Sequence, residues 1–255
     1  MDRFSELCAY FEGRRAVIAF SGGADSALLL EAARRGGEAL AVTAETPLGS
    51  ERELSDARAF CAAREISHRV VRVDPLELPE VRENQKDRCY HCKRKIFETI
   101  LKEAAGAPVF DGTNASDVGA YRPGRRALAE LGIRSPLLEL GFEKPEIVAL
   151  SEELGLETAK RPPAPCLATR FPYGTRLSEE RLRRVEQLEE HLRGMGIRAC
   201  RCRIHGELVR VEVERSAFPL LERDETFPAI CHALGFCYVT LDLEGLRSGS
   251  MDIGV

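Results

Sequence analysis

The sequence has no long hydrophobic run and no excess of basic residues. No apolar stretch approaches the roughly 18 residues typical of a membrane-spanning helix, which excludes a membrane protein. The opening residues lack the apolar segment of a secretory signal, so a cytoplasmic protein is expected. Lys and Arg number 37 against 41 Asp and Glu, a formal charge of −4, whereas a large duplex-binding surface normally carries a basic excess. These absences predict a protein that acts away from membranes and nucleic acids.

What is present is the composition of a globular chain with one large domain or two modest ones. The 255 residues are 44% hydrophobic and 31% charged, enough apolar surface to fold without disulfides and to exclude a disordered chain. Nine cysteines are many for a chain without an export signal. In a reducing compartment such cysteines are metal ligands or catalytic groups more often than disulfides.

Strand-length apolar segments alternate with helical segments through the first half of the chain. Strands are predicted at 16–20, 38–45, 69–73 and 108–111, with helices at 27–35, 50–65 and 93–105. Ser50 and Glu53 form a capping box at the start of the second of these helices. The alternation predicts an α/β fold with a parallel sheet and helices on both faces, in which ligands bind at the carboxyl ends of the strands.

A proline-rich segment separates this half from the rest. Lys160-Arg-Pro-Pro-Ala-Pro165 cannot sustain a helix or a central strand. We therefore predict two domains, residues 1–163 and 164–255. The second should be a small α+β unit with helices at 178–193 and 228–234, and strands at 201–204, 208–214 and 238–243.

The segment Ser21-Gly-Gly-Ala-Asp-Ser26 lies between a predicted strand and a predicted helix, where a phosphate-binding loop belongs. Its glycines let the backbone approach an anion, its serines supply hydroxyls, and the N–H groups at the helix start point at the anion. Asp25 fits such a cradle if a divalent cation bridges it to phosphate. The Walker pattern is absent, since no Gly-Lys-Ser/Thr follows. A capped glycine turn without a ligand is the alternative.

The loop resembles that of the pyrophosphate-loop ATP pyrophosphatases, which adenylate a carboxylate or carbonyl and release pyrophosphate. Asp111-Gly-Thr-Asn114, with Asp117, is similar to a second segment of that superfamily, although alone it would be a plain turn. The resemblance implies a Rossmann-like sheet of the adenine nucleotide alpha hydrolase type, with ATP and with Mg²⁺ on Asp25. The nucleotide-binding residues it implies are Ser21, Gly22, Gly23, Asp25, Ser26, Asp111, Gly112, Thr113 and Asn114.

Three further motifs narrow the resemblance: Arg88-Cys-Tyr-His-Cys-Lys93, Pro165-Cys-Leu-Ala-Thr-Arg170 and Leu241-Asp-Leu-Glu-Gly-Leu-Arg-Ser-Gly-Ser-Met251. With the loop, they resemble the LarE family over essentially the whole chain. LarE enzymes are ATP-dependent sulfur transferases that build the nickel-pincer cofactor of lactate racemase. The resemblance implies homo-oligomers such as a hexamer, and a small-molecule substrate, pyridinium-3,5-biscarboxylic acid mononucleotide, which is derived from nicotinate.

The resemblance also assigns a catalytic cysteine. ATP adenylates a substrate carboxylate, and the thiolate of Cys166 displaces AMP to give a thioester. Cleavage of the cysteine C–S bond then leaves sulfur on the substrate and dehydroalanine in the protein. Lys160, Arg161 and Arg170 are near in sequence and could lower the pKa of this thiol, although free cysteines are most often packed as small hydrophobes.

Cys89 and Cys92 suggest a second way in which the protein could supply sulfur to its substrate. Two thiols three residues apart can reach one metal, and with His91 they still fall short of the four ligands of structural zinc. The three thiolates of Cys89, Cys92 and Cys166 would suit a [4Fe–4S] cluster whose open iron carries sulfide to the adenylated substrate. A zinc site and a pair with no metal remain open alternatives.

Alternation along a predicted strand places Cys200 and Cys202 on one face and Arg201 and Arg203 on the other. We expect the thiols to pack in the core and the guanidiniums to grip the substrate phosphate, although a solvated strand face is the alternative. The substrate-binding candidates are Arg122, Arg125, Arg170, Arg201 and Arg203. Glu189 and Glu212 are weaker candidates as metal carboxylates, and Cys8, Cys61, Cys231 and Cys237 are expected to pack in the core.

Two other functions compete. A cluster-dependent tRNA thiolation enzyme would show a basic face and an added module, whereas this chain has charge −4 and no second C-x-x-C. A non-catalytic ATP-binding sensor would need no thiolate at position 166.

Overall fold

The computed structural model describes residues 2–118, 123–161, 165–247 and 249–251. The strands are β1 (Arg15–Ala19), β2 (Glu38–Glu45), β3 (Ser67–Arg72), β4 (Val109–Phe110), β5 (Cys200–His205), β6 (Leu208–Val213) and β7 (Tyr238–Leu241). The helices are α1 (Arg3–Tyr10), α2 (Ala24–Gly36), α3 (Glu51–Ala63), α4 (Pro79–Arg82), α5 (Arg88–Ala104), α6 (Gly124–Glu130), α7 (Pro136–Glu139), α8 (Lys144–Glu153), α9 (Glu179–Gly194), α10 (Phe218–Glu222) and α11 (Thr226–Ala233). Within the described ranges, no helix is both long enough and apolar enough to span a membrane.

The first four strands form one parallel sheet in the order β3-β2-β1-β4. Alternation along β1 divides its side chains between two layers. Ile18 packs into a core with Leu28 of α2, and Val17 packs into a second core with Phe97 and Ile100 of α5. The sheet is therefore covered by helices on both faces, which confirms the predicted α/β fold.

Helices α5 and α1 are among those that differ from the sequence prediction. α5 begins at Arg88 rather than at residue 93, because Tyr90 joins Phe97, Ile100 and Ala104 in one buried stripe at helical spacing. The C-x-x-C motif therefore lies in the first turns of that helix. α1 was not predicted, and its start is capped by the Asp2 side chain, which accepts from the Ser5 amide at 2.7 Å.

The chain divides into two compact units, and each unit is built from two separate segments of the sequence. The first unit comprises Met1–Leu78 and Asp87–Ala164, and the second comprises Pro79–Lys86 and Pro165–Val255. The predicted boundary between residues 163 and 164 falls at positions that lie outside the described residues.

The second unit contains the separate small sheet expected from the sequence. β6 pairs antiparallel with β5 and parallel with β7. α9 is capped by Ser178 and buries Leu182, Val185 and Leu188. The segment 79–86 belongs to this unit because Asn84 Nδ2 donates to the carbonyls of Phe171 (3.2 Å) and Pro172 (2.9 Å).

Candidate functional site

The glycine-rich loop joins β1 to α2, which begins at Ala24 with Gly23 as its N-cap. β1 lies between β2 and β4, so the chain leaves β1 toward one side and returns to β4 on the other. This is the switch point of a doubly wound sheet, where the crevice for a ligand opens beyond the carboxyl ends of the strands. The two predicted nucleotide segments follow these two neighbouring strands.

The loop is held by its own serines. Ser26 Oγ donates to the Gly23 carbonyl at 3.1 Å and lies 3.2 Å from Ser21 Oγ, while the Ser21 amide donates to Ser26 Oγ at 3.4 Å. Gly22 has φ of +78°, a backbone conformation that L side chains rarely adopt. The loop thus bends into α2, whose first N–H groups have no carbonyl of the helix to bind and are therefore available to bind an anion.

Gly112 brings the second segment against this helix start. A Cβ on Gly112 would lie 2.9 Å from the Ser26 backbone nitrogen and 3.2 Å from the Asp25 carbonyl carbon. Asn114 Nδ2 also donates to Asp25 Oδ1 at 3.3 Å. The structure therefore places the two predicted segments in contact, and it gives Gly112 a packing reason to be glycine.

Asp25 also binds a residue that the sequence reasoning missed. Lys144 Nζ lies 2.8 Å and 2.9 Å from the two carboxylate oxygens of Asp25. Lys144 is the first residue of α8, where the helix dipole disfavours a cation. The sequence does show a lysine directly before Pro145, at the start of a helix. Sequence spacing does not reveal that its partner is Asp25, 119 residues earlier.

Asp111 is buried and its carboxylate accepts two hydrogen bonds. Thr113 Oγ1 and Ser135 Oγ each donate to it at 2.5 Å. Lys93 Nζ lies 4.0 Å from Asp111 Oδ2. Because Lys93 follows the C-x-x-C motif directly, this contact places the start of α5 at the same end of β4 as the glycine loop.

Cys89 and Cys92 are partly exposed and lie three residues apart on α5, so they share one side of the helix. Across the described ranges, no three His, Cys, Asp or Glu side chains come together as a metal-ligand group. Cys89 and Cys92 belong to the first unit and Cys166 to the second, and the predicted three-thiolate cluster stays a prediction.

Cys166 is partly exposed and immediately precedes a 3₁₀ turn, Leu167–Arg170, in the second unit. Thr169 Oγ1 donates to the Cys166 carbonyl at 2.8 Å. Arg170 Nη1 donates to that carbonyl at 3.1 Å and to the Pro165 carbonyl at 2.5 Å. One guanidinium thus holds the carbonyls of both peptide bonds that flank Cys166.

That guanidinium is itself buried and paired. Arg170 is 2% exposed, and its Nε and Nη2 donate to the two carboxylate oxygens of Glu189 at 2.8 Å and 2.9 Å. Burial acts to raise the pKa of Glu189, but the hydrogen bonds and charge of Arg170 outweigh burial and leave this pKa below its usual range. All three guanidinium nitrogens of Arg170 therefore already donate within the chain.

Arg201 and Arg203 are also buried. Arg203 Nε donates to Glu212 at 3.0 Å and its Nη1 to the Thr169 carbonyl at 2.9 Å, while Arg201 Nη1 donates to the Cys200 carbonyl at 2.6 Å. Burial, followed by the neighbouring Arg170 guanidinium, lowers the pKa of Arg201. The strand face is thus a buried charged layer rather than a solvated one, and the predicted contact with substrate phosphate stays a prediction.

The other cysteines were all expected to pack in the core, and one of them does not. Cys200 and Cys202 are fully buried, as expected, and burial raises the pKa of Cys200 to about 12. Cys61 and Cys231 are buried and Cys8 packs partly against the core, but the prediction for Cys237 was wrong, because it is exposed just before β7.

Two of the predicted cations, Arg125 and Arg161, have partners in the first unit. Arg125 Nη1 donates to the Asp117 carbonyl at 3.3 Å, and Arg161 forms an ion pair with Asp56 at 3.2 Å. Arg122 lies outside the described residues.

Curated relatives cover almost the whole chain, although no protein-family model matches it. Pyridinium-3,5-bisthiocarboxylic acid mononucleotide synthase of Lactiplantibacillus plantarum is 34% identical over 248 residues, which span 94% of this chain and 89% of that enzyme. The chain belongs to the LarE family. Uncharacterised proteins of Synechocystis, at 39% identity over 93% of this chain and 92% of the relative, and of Methanocaldococcus jannaschii, at 32% over 93% of each, are similar along the same length. The LarE relationship thus includes both the glycine loop and the unit that carries Cys166.

Proposed function

We propose that this chain is an ATP-dependent sulfur transferase of nickel-pincer nucleotide biosynthesis. It adenylates a carboxylate of pyridinium-3,5-biscarboxylic acid mononucleotide and replaces the carboxylate oxygen with sulfur. The observation that supports this most is the near full-length similarity to an enzyme named for the bisthiocarboxylic acid product. The contact between the glycine loop and the Asp111 segment at the switch point supports the ATP-dependent part.

The first step is activation. A substrate carboxylate oxygen attacks the α-phosphorus of ATP, and pyrophosphate leaves with the electrons of the broken P–O bond. The amides at the start of α2, with Gly22 and Gly23, cradle the departing phosphates, and the serine hydroxyls fix the loop around them. Asp25 is the carboxylate that would hold Mg²⁺, which neutralises charge on the leaving pyrophosphate when bound.

The second step transfers sulfur. The Cys166 thiolate attacks the acyl adenylate carbonyl, AMP leaves, and a thioester to the protein forms. Loss of the Cys166 α-proton to a base then drives cleavage of its Cβ–S bond, whose electrons stay on sulfur. The products are a thiocarboxylate and dehydroalanine at position 166, so each chain acts once. Arg170 holds the carbonyls of Pro165 and Cys166 and thereby orients the thiol-bearing residue.

The decisive experiment follows the mass of the intact protein after incubation with ATP, Mg²⁺ and the biscarboxylic mononucleotide. We expect the chain to lose the mass of one H₂S and the substrate to gain sulfur, with pyrophosphate released. Cys166→Ala should still release pyrophosphate but transfer no sulfur, whereas Cys237→Ala, at an exposed thiol, should match the unaltered chain. Sulfur transfer by Cys166→Ala would contradict the proposed donor. ATP binding without pyrophosphate release would indicate a sensor, and release that depends on tRNA would indicate a tRNA thiolation enzyme.

Iron content distinguishes the two sulfur sources. The steps above take sulfur from Cys166 itself. A Cys166 donor needs no cluster, so anaerobically purified and reconstituted protein should transfer one sulfur per chain without stoichiometric iron. About four irons per chain, lost in Cys89→Ala, Cys92→Ala and Cys166→Ala alike, would instead establish a three-thiolate cluster and repeated turnover.

A further inference from the structure

The C-terminal motif that ends at Met251 has no part in the two chemical steps proposed above. Three of its side chains meet two neighbours on β6. Ser250 Oγ donates to Glu212 Oε1 at 2.5 Å, and Arg210 Nη2 donates to Met251 Sδ at 3.6 Å. Asp242 Oδ2 lies 3.6 Å from Arg210 Nε. The motif therefore packs against one face of β6, because residues two apart on a strand point the same way.

Glu212 is a fully buried carboxylate with donors on both of its oxygens. Its Oε2 lies 3.0 Å from both Nε and Nη2 of Arg203. Its Oε1 accepts from Arg210 Nη2 at 3.1 Å and from Ser250 Oγ. Arg203 stands directly opposite Arg210 in the register of β5 and β6, and like charges in that arrangement repel. Glu212 thus joins the two arginines, and Ser250 holds the second oxygen of the carboxylate in place.

Arg203 carries this arrangement to the turn that contains the sulfur donor. Its Nη1 donates to the Thr169 carbonyl at 2.9 Å. The amide and the hydroxyl of Thr169 both donate to the Cys166 carbonyl, at 3.1 Å and 2.8 Å. All of these residues belong to the second unit. A continuous series of hydrogen bonds therefore joins Ser250 to the turn of Cys166.

Charge balance alone does not explain Ser250. The two guanidiniums already neutralise the Glu212 carboxylate, and a neutral hydroxyl adds only one modest hydrogen bond. The terminal torsion of a glutamate is broad, so a carboxylate held only by charge can turn in its site. The hydroxyl of Ser250 restricts that rotation, and the orientation of Arg203 follows from it.

We propose that Ser250 is a positioning residue for sulfur transfer: through Glu212 and Arg203, the C-terminal motif holds the turn of Cys166 in the orientation from which its thiolate attacks the acyl adenylate. This inference rests on the proposed function. It gives the C-terminal motif a role in the second chemical step and none in the first, so the two steps should respond differently when the hydroxyl is removed.

The test is a single turnover of the full chain with saturating ATP, Mg²⁺ and the biscarboxylic mononucleotide. Pyrophosphate release reports the first step, and the loss of H₂S from the mass of the intact chain reports the second. Ser250→Ala should slow the second step by about 10-fold or more, since a misplacement of about 1 Å can cost about 100-fold, and should leave the first step unchanged. Ser250→Thr keeps the hydroxyl and should restore the rate. Ser216→Ala, at an exposed serine of the same unit, should alter neither step.

Amide hydrogen exchange tests the positioning without any substrate. The amides of Thr169 and Phe171 are bonded within the turn, so their exchange should be faster in Ser250→Ala than in Ser216→Ala or the unaltered chain. Urea denaturation checks that each variant is folded.

The outcomes separate the inference from the proposed function. Equal slowing of both steps would indicate a general structural role, and unchanged sulfur transfer or unchanged exchange would show that Ser250 does not position the turn. A rate restored by more mononucleotide alone would place Arg203 on the substrate instead of the turn. Each of these results overturns the inference. An unaltered chain that releases no pyrophosphate and transfers no sulfur would overturn the proposed function, whereas the exchange measurement would still decide whether Ser250 holds the turn.

Discussion

Single residues at the candidate nucleotide crevice are constrained by close backbone contacts. Gly112 is the strictest case, because the clash that a side chain would create is with the Ser26 backbone and not with a flexible side chain. The motif around Gly112 could be recognised from the sequence, but the reason for the glycine could not. It depends on two segments that are far apart in the chain and become neighbours only through the strand order.

Gly112→Ala should destabilise the protein by about 1–3 kcal/mol and weaken ATP binding, because the backbone at the start of α2 must shift. Urea denaturation and ATP titration measure the two effects. Gly194→Ala is the matched control: its added methyl meets no atom within 4 Å, and replacing a helical glycine should stabilise by about 0.5–1 kcal/mol. Equal effects of the two changes would contradict the packing argument.

Glu189 gives the protein a specific pH dependence. Its pKa is lowered in the folded state, so the pair with Arg170 contributes stability above the unfolded pKa of about 4.3 and loses it as the pH falls further. Glu189→Gln should destabilise by about 3–5 kcal/mol at neutral pH, because Arg170 remains buried without its counter-charge.

Denaturation series from neutral pH into the acid range measure this dependence. The Glu189→Gln variant should lose less additional stability on acidification than the unaltered chain. Glu153→Gln, at an exposed position, should keep the unaltered profile. A Glu189→Gln profile parallel to that of the unaltered chain would show that the pair does not titrate with folding.

At the scale of elements, the sequence was most informative where local chemistry decides the structure. β2 has the predicted bounds, and the capping box of α3 is formed in full by Ser50 and Glu53. The start of α5 was missed, because the Cys-x-x-Cys motif does not reveal that Tyr90 extends the buried stripe by two turns. The pair of Lys144 with Asp25 was missed for the same reason, since it is a contact between elements.

Ser50→Ala tests how much the capping box of α3 contributes to stability. Loss of the cap leaves the Glu53 amide without its partner, and we expect a loss of about 1 kcal/mol in the free energy of unfolding, measured by urea denaturation. Ser55→Ala lies in the exposed interior of the same helix and should be neutral or slightly stabilising. A larger loss for Ser55→Ala than for Ser50→Ala would contradict the capping role.

At the scale of the whole molecule, the chain passes between the two units three times, after residues 78, 86 and 164. Composition predicted a single boundary, in the proline-rich segment, because it marks linkers but not an eight-residue excursion held by hydrogen bonds. Asn84 anchors that excursion: it is fully buried, has φ of +51°, and donates to two carbonyls. Two backbone bonds, Gly174 N–H to the Asn84 carbonyl and Leu177 N–H to the Arg82 carbonyl, complete the anchor.

Replacing Asn84 should release residues 79–86 while leaving the parallel sheet intact. Asn84→Gly keeps the left-handed backbone and loses the side-chain bonds, whereas Asn84→Ala also adds backbone strain of about 1–2 kcal/mol. Trypsin cleavage after Arg82 and Lys86 should therefore accelerate in the order unaltered, Asn84→Gly, Asn84→Ala. Cleavage at the same rate in all three proteins would show that the excursion is held in another way.

The same anchor has a consequence for synthesis on the ribosome. Asn84 precedes its carbonyl partners by 87 and 88 residues. At about 5–20 residues per second, roughly 4–18 s pass between the emergence of Asn84 and that of its partners. The last residue of the first unit, at position 164, is therefore synthesised before Phe171 and Pro172 can accept from Asn84, and the anchor of residues 79–86 is among the later contacts to form.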